Sequence, residues 1–360
     1  LIVTNAQHYA LVVGIDRYPG VRDLTSARND ARRFAAWLEA EDGGAVPPAN
    51  VMRVLAEDGE LPDPLTLGQA IPRFQQIEDA LFDLRQRCES HVEEHPADWQ
   101  RTRLYVYVSG HGIAPAPDEA ALLMANAARQ RFGRNFSCDK FLDFFKAAQT
   151  FHELVFFADC CRERVGAAPI QAPTWDRVEG DKGPVVALPG YATHFGDLAF
   201  EADTEQTELP DARRSFFTQA LLEGLKGQAA NDDGIIDSIS LPRYVTERVK
   251  KLTENKPRPQ VPQMHADPAA PIIFRRDVSP TTALAAKTHA VDIEFPPGWA
   301  GRAVLRDGTL ESIGMHDAGA GTWTLDLGNG LYEVSPETGS NPFAAAGRFK
   351  VLGGAQHVQL

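Results

Sequence analysis

The chain has 360 residues, 43% of them hydrophobic, enough to bury a large core and to leave room for one big domain and a smaller one. Its formal net charge of -13 argues against a nucleic-acid surface or an anionic membrane as the main partner. No apolar run approaches the roughly eighteen residues of a membrane span, and no leader-like pattern opens the sequence.

Strand-like apolar runs alternate with helical patterns along the first three quarters of the chain. Strands are expected at Tyr9–Ile15, Val51–Leu55, Leu104–Val108, Leu154–Ala158, Pro184–Leu188 and Pro271–Phe274. Helices are expected at Asn29–Glu41, Leu67–Glu94, Ser137–Thr150, Arg213–Gly227 and Leu241–Lys251, where apolar residues recur at three- and four-residue steps, as in Phe34, Trp37 and Leu38 or Phe217, Leu221 and Leu225. Such alternation predicts an α/β fold, a mostly parallel six-stranded sheet with helices on both faces.

After Arg276 the texture changes. Residues 277–287 are small and polar and read as a linker between a first domain, 1–276, and a second, 288–360. In the second, short strand-like runs at Val291–Phe295, Ala303–Arg306, Thr322–Leu327, Tyr332–Val334 and Phe349–Leu352 are punctuated by Gly, Pro, Asn and Asp, and Gln356–Leu360 also reads as strand. That pattern predicts a small C-terminal all-β sandwich. It carries no set of residues with a chemical reading, so its expected role is packing, or docking of an activator or partner protein.

Two segments carry chemistry. Tyr105-Val106-Tyr107-Val108-Ser109-Gly110-His111-Gly112 and Val155-Phe156-Phe157-Ala158-Asp159-Cys160-Cys161-Arg162 each read as a buried strand ending in a polar side chain. Parallel strands bring such ends together at the carboxyl edge of the sheet, where α/β folds bind ligands. A thiol beside an imidazole is a nucleophile beside its base. The four cysteines, at 88, 138, 160 and 161, form no Cys-x-x-Cys pair and no spaced ligand set, so no metal or other cofactor is expected. They read as free thiols in a reducing cytoplasm.

Residues 1–276 resemble the caspase-like cysteine peptidases, closest to their metacaspase and bacterial branch. The matching pieces are Leu11-Val12-Val13-Gly14-Ile15-Asp16-Arg17-Tyr18, Asn29-Asp30-Ala31, Ser109-Gly110-His111-Gly112, Asp159-Cys160-Cys161-Arg162, and Ser215 to Leu225 followed by Asp233-Gly234. They fall in the family's order, and a His about 50 residues before the Cys is its usual spacing. Taken alone, His111 would read as a satisfied core imidazole. The family registers Asp-x-Cys and Gln-Ala-Cys-Arg both select Cys161 as nucleophile and leave Cys160 in a slot where a small residue is usual.

The resemblance implies that Cys161 attacks a peptide carbonyl, that His111 manages the proton, and that the backbone N–H groups of Gly112 and Cys161 receive the oxyanion. No third orienting residue is evident. It also implies that Asp30 and Asp159 line the first specificity pocket, where two carboxylates favour an Arg or Lys side chain and repel an acidic one. The blander readings are a helix N-cap for Asp30 and a loop hydrogen bond for Asp159.

Asp232, Asp233 and Asp237 do not complete a calcium loop and read as a turn before the next helix. The stretch Glu163–Gly183, rich in Pro, Gly and charge, reads as a loop that orders when substrate arrives, with Arg164, Arg177 and Lys182 as sites for self-cleavage. The expected protein is a monomeric cysteine endopeptidase acting on protein substrates with a basic cleavage site, and the resemblance implies a setting of bacterial defence or regulated cell death; the alternatives are a latent or pseudo-peptidase acting as a protein-binding scaffold and a caspase-like peptidase with non-basic specificity.

Overall fold

The computed structural model describes residues 5–55, 61–117, 119–165, 168–176, 179–197, 199, 214–276, 278, 289–297, 299, 301–307, 312–328, 330–337, 347–351 and 356–360. They form two compact units, one ending at residue 276 and the other comprising 232–234, 278 and the described part of 289–360. The expected linker, 277–287, lies outside the described residues except for Val278. No helix among the described residues is long and apolar enough to cross a membrane.

The first unit runs β1 (His8–Gly14), α1 (Ala27–Glu39), β2 (Val51–Leu55), α2 (Phe74–Glu94), β3 (Arg103–Gly110), β4 (Gly112–Ala114), β5 (Ala121–Leu123), β6 (Asn135–Ser137), α3 (Cys138–Ala148), β7 (Glu153–Cys160), β8 (Glu163–Arg164), β9 (Val186–Tyr191), α4 (Phe216–Glu223), β10 (Ile236–Asp237), α5 (Ser240–Leu252), β11 (Gln263–Met264) and β12 (Ile273–Arg275). Six strands form the main sheet in the order β11-β9-β7-β3-β1-β2. All its pairings are parallel except that of β11 with β9.

Burial on both faces explains why the central strands read as continuous apolar runs rather than alternating ones. All eight residues of β3 are buried. Their alternation sends Leu104, Val106 and Val108 into one core with Ile77, Leu81 and Leu84 of α2 and Phe141 and Phe145 of α3. Tyr105 and Tyr107 point the other way, where Phe34 of α1 stacks on Tyr107 with ring centroids 4.5 Å apart and Trp37 meets Tyr105 edge-on. Tyr107 also reaches Thr218, so α4 lies on the α1 face.

Three elements depart from expectation. Helix α2 starts at Phe74 rather than Leu67, because Pro72 cannot continue a helix and biases the preceding residue away from helical backbone. The run 271–274 does not join the main sheet: β12 pairs antiparallel with β10, and the sixth place goes to the two-residue β11, too short to show a periodicity. Buried Arg103 at the foot of β3 holds β12 there, donating to the Ile273 carbonyl at 2.9 Å and to Glu153 at 2.6 Å. Helix α4 ends at Glu223 and passes into a π-helical turn, Gly224–Gln228, containing Gly227 at φ 143°; its expected start, Arg213, lies outside the described residues.

The second unit contains β13 (His289–Glu294), β14 (Arg302–Arg306), β15 (Ser312–Asp317), β16 (Trp323–Leu327), β17 (Gly330–Pro336), β18 (Gly347–Val351) and β19 (Gln356–Gln359). They make a three-stranded sheet, β16-β13-β19, and a four-stranded one, β15-β14-β17-β18. Val291, Ile293, Trp323 and Leu327 of the first share a core with Ala303, Leu305, Val334 and Val351 of the second. β15 escapes a sequence reading because its residues are exposed or half-buried and offer no clean alternation.

Candidate active site

The two motif strands lie side by side. β3 and β7 pair in parallel with Ser109 opposite Asp159 and Gly110 opposite Cys160, so the next residues on each, His111 and Cys161, leave the sheet together at strands about 4.8 Å apart. Period-two alternation then sorts β7: Phe156, Ala158 and Cys160 belong to the α2/α3 core, whereas Phe157 packs on Phe34 of α1 and Asp159 follows it to that face.

His111 is held on several sides. Its backbone N–H donates to the Tyr18 hydroxyl at 3.1 Å, and its carbonyl accepts from Leu123 N–H at 2.7 Å. The imidazole Nε2 lies 2.6 Å from the Arg22 carbonyl oxygen. A carbonyl oxygen can only accept, so Nε2 carries the proton and the neutral ring keeps Nδ1 as its acceptor. The orienting group missing from the sequence reading is thus a backbone carbonyl, which no residue type announces.

Cys161 is half-buried, and its sulfur accepts a hydrogen bond from the Ala199 N–H at 3.3 Å. The thiol in turn donates to the Ala199 carbonyl at 3.7 Å, so one backbone residue holds the sulfur through both its groups. Cys160 is fully buried, and desolvation, with the neighbouring Cys161 and Asp159 adding to it, pushes its thiol well up. A Cβ on Gly112 would lie 2.5 Å from Cys160 Sγ and 2.3 Å from the Cys161 carbonyl oxygen, so only glycine lets β4 pass this close to the cysteines.

Arg162, fully buried, binds the surrounding loops together. Its guanidinium donates to the carbonyls of Glu119 (3.2 Å), Thr193 (3.3 Å) and Pro117 and to Gln263 Oε1 (2.5 Å), and lies over the Tyr191 ring. Beyond it opens a cleft of about 400 Å³ lined by Glu163, Arg164, Gly196, Asp197, Arg258, Pro259 and Gln260.

Asp30 and Asp159 come together behind the strand ends, both buried, at 0% and 4% exposure. Ser215, which caps α4, bridges them: its N–H donates to Asp30 Oδ2 at 2.8 Å and its hydroxyl to Asp159 Oδ2. Thr218 donates to the same Asp159 oxygen and accepts from the Tyr107 hydroxyl. Asp30 Oδ1 is buried with no hydrogen-bond partner. Burial, then the charge of Asp159, hold the Asp30 carboxyl well above the usual carboxylate range. Asp30 does not cap its helix, since α1 starts at Ala27 and Ser26 occupies the cap position. Asp159 is the penultimate residue of β7, and its carboxylate accepts from α4 side chains rather than from loop groups.

The remaining polar candidates serve structure. Asp237 accepts the N–H groups of Ile239 and Ser240, both at 2.8 Å, and so shapes the turn into α5. Among the described residues, no group of three or more His, Cys, Asp or Glu side chains could hold a metal ion.

Adjacent parallel strands ending in an imidazole and a thiol at the carboxyl edge of a six-stranded α/β sheet are the pattern of a class, the cysteine peptidases of this architecture. The profile of the caspase domain matches residues 7–271, and the chain belongs to that family. A probable protease from a Desulfuromonadales bacterium is 28% identical over 228 residues, 61% of this chain and 26% of that protein, so the chain spans about a quarter of that relative's length. Among solved structures, caspase-1 from Spodoptera frugiperda aligns at 15% identity and a TM-score of 0.47, covering 78% of this chain and 94% of the other. A structural-genomics protein from Geobacter sulfurreducens aligns at 15% identity and a TM-score of 0.43, covering 76% and 98%.

Proposed function

We propose that this caspase-domain protein is an endopeptidase of the metacaspase-like kind that cleaves protein substrates after Arg or Lys, with Cys161 as nucleophile and His111 as its proton carrier. The thiolate of Cys161 attacks the scissile carbonyl carbon, and the oxyanion is received by the N–H groups of Gly112 and Cys161. As the C–N bond breaks, the imidazolium of His111 gives its proton to the leaving amine. A water molecule, deprotonated by the same imidazole, then attacks the thioester and releases the acid, restoring the thiol.

The observation that carries the basic specificity is the Asp30 carboxyl: buried, next to a second carboxylate, with one oxygen lacking any donor. Ser215, Ser26 and the charge of Arg33 offset the carboxylate only in part; a substrate cation would give the bare oxygen a donor and the pair a counter-charge, whereas an aspartate side chain would add a third negative group. Since both carboxylates are covered, a substrate side chain reaches them only when Ser215 gives way. We place the enzyme in a reducing cytoplasm, where its four free thiols persist, and assign it to bacterial defence or regulated cell death.

Hydrolysis of fluorogenic peptides ending in Arg, Lys or Asp by the native chain and by Cys161→Ala tests the proposal. The expected result is cleavage after Arg or Lys that disappears in the variant. Cleavage after Asp would overturn the pocket assignment, and cleavage that survives in Cys161→Ala would overturn the nucleophile.

A further inference from the structure

We infer that Tyr18, from the loop that follows β1, is a positioning residue for His111, fixing its backbone through the hydroxyl and one flank of its imidazole through the ring. This inference rests on the reading of His111 and Cys161 as the working pair.

The phenol is 1% exposed, and its hydroxyl lies between two elements of the site. It accepts the His111 N–H at 3.1 Å and donates to the Leu123 carbonyl on β5, also at 3.1 Å. The two rings meet edge-on with centroids 4.9 Å apart. One side chain therefore fixes both the backbone of His111 and one flank of its imidazole. Gly110 makes room for it, since a Cβ there would lie 2.5 Å from the Tyr18 hydroxyl oxygen.

The hydroxyl keeps its proton for that donation. Burial, with the thiols of Cys160 and Cys161 and the Asp16 carboxylate nearby, pushes the phenol well above its ordinary pKa.

The loop is itself braced. Tyr18 N–H donates to Asp23 Oδ1 at 2.6 Å, Leu24 N–H donates to the Asp16 carbonyl at 2.8 Å, and the Asp16 side chain pairs with Arg28 at 2.9 Å. The same loop presents the Arg22 carbonyl to Nε2. Tyr18 and Arg22 thus clamp the histidine from one short segment, the first through the backbone and ring flank, the second through the ring nitrogen. The hydroxyl ends on the backbone N–H of the histidine whose ring, in the proposed mechanism, must keep a fixed aim while its protonation changes.

Tyr18→Phe removes the hydroxyl and keeps the ring. The expected result is a kcat lowered about tenfold, the equivalent of one hydrogen bond, with KM within about twofold. The acidic limb of the kcat profile against pH should also shift, because the imidazole has lost part of its frame. A merely structural hydroxyl would lower thermal stability and leave that limb in place, and such an outcome overturns the inference. If the variant is too inactive to assay, the pH dependence of Cys161 alkylation by iodoacetamide, measured on folded protein, reads the same coupling: a profile equal to the native one overturns the inference. His111→Ala separates the two levels. Peptidase activity retained in His111→Ala removes the reading of the pair, whereas its loss alongside an unchanged Tyr18→Phe removes only the role of Tyr18.

Discussion

Asp30→Asn should make the ligand-free protein more stable while sharply lowering the proposed activity. The carboxyl is fully buried and its pKa is raised, first by desolvation and then by Asp159. For an acid whose pKa is higher folded than unfolded, the stability it allows is complete below the unfolded value near 4 and is lost as pH rises through the folded value. One residue, Ser215, donates to both carboxylates, which puts the two charges within about 6 Å. At an effective dielectric of about 20, that separation corresponds to about 3 kcal/mol of repulsion. Asparagine is isosteric: its oxygen can accept from Ser215 while its amide fills the place of the partnerless Oδ1. Thermal melts at pH 7.5 should therefore place the midpoint of Asp30→Asn about 5 °C or more above the native chain, at about 2 to 4 °C per kcal/mol for a domain of this size. The gap should close by pH 4, where the native carboxyl is protonated. In the same preparation kcat/KM for Arg and Lys peptides should fall about a hundredfold, the scale for losing one partner of a buried charged pair. An equal or lower midpoint at pH 7.5 would refute the argument, because it would mean that the carboxylate is already compensated.

Three further expectations follow from neighbouring features. Brief iodoacetamide treatment near pH 7 should label Cys161 first, since burial pushes the thiols of Cys88, to about 12, and of Cys138 and Cys160 upward; peptide mapping that finds Cys160 labelled as fast would contradict the sorting of the two faces of β7. Arg103→Met should cost about 3 to 5 kcal/mol, because Glu153 loses its buried partner and the Ile273 carbonyl its donor, and a denaturation midpoint within 1 kcal/mol of native, on the scale of an exposed ion pair, would show that β12 is held by something else. Trp175→Ala should cost about 2 to 3 kcal/mol, less than a fully buried tryptophan, as the half-buried ring loses contacts with Phe82, Phe141, Phe144 and Phe145; peptidase activity per folded molecule should stay within about twofold, on the ground that distant sites act independently.

Much of this arrangement was legible before any coordinates. Long buried strands such as β3 and β7 announce themselves because both faces are apolar, and their polar ends stand out against that background. Asp30 and Asp159, 129 positions apart, could be placed together only through the family resemblance, since no local pattern links them. What stayed hidden is work done by the backbone. The Arg22 carbonyl on Nε2 and the Ala199 N–H on the Cys161 sulfur leave no mark in residue identity. Ser215 and Thr218 were seen as part of a motif, yet the sequence does not say that their hydroxyls end on Asp159. The two-residue β11 shows the same limit, because pairing at a sheet edge can be decided by the partner strand rather than by its own residues.

The segment after Cys161 is anchored away from the two buried carboxylates. Its composition, rich in Pro, Gly and charge, reads as a loop that orders when substrate arrives. Its described residues instead dock on the α2/α3 face: Thr174 donates to buried Glu78 through both N–H (2.7 Å) and hydroxyl (2.8 Å), Gln171 donates to the Gly133 carbonyl (2.6 Å), and Gly180 N–H donates to the Ala147 carbonyl (3.0 Å). Asp30 and Asp159 lie on the opposite face, with α1 and α4. The sheet itself therefore separates this segment from the carboxylate pair, and residues 168–176 and 179–183, where they stand, do not cover Asp30 or Asp159. Nor would a cut near either end free it: Arg164 is paired to Ala114 within β8, Lys182 N–H is held by Gln149, and Trp175 anchors the stretch between them; Arg177 lies outside the described residues. Closure over the carboxylates falls to Ser215 at the start of α4, the residue that already touches both.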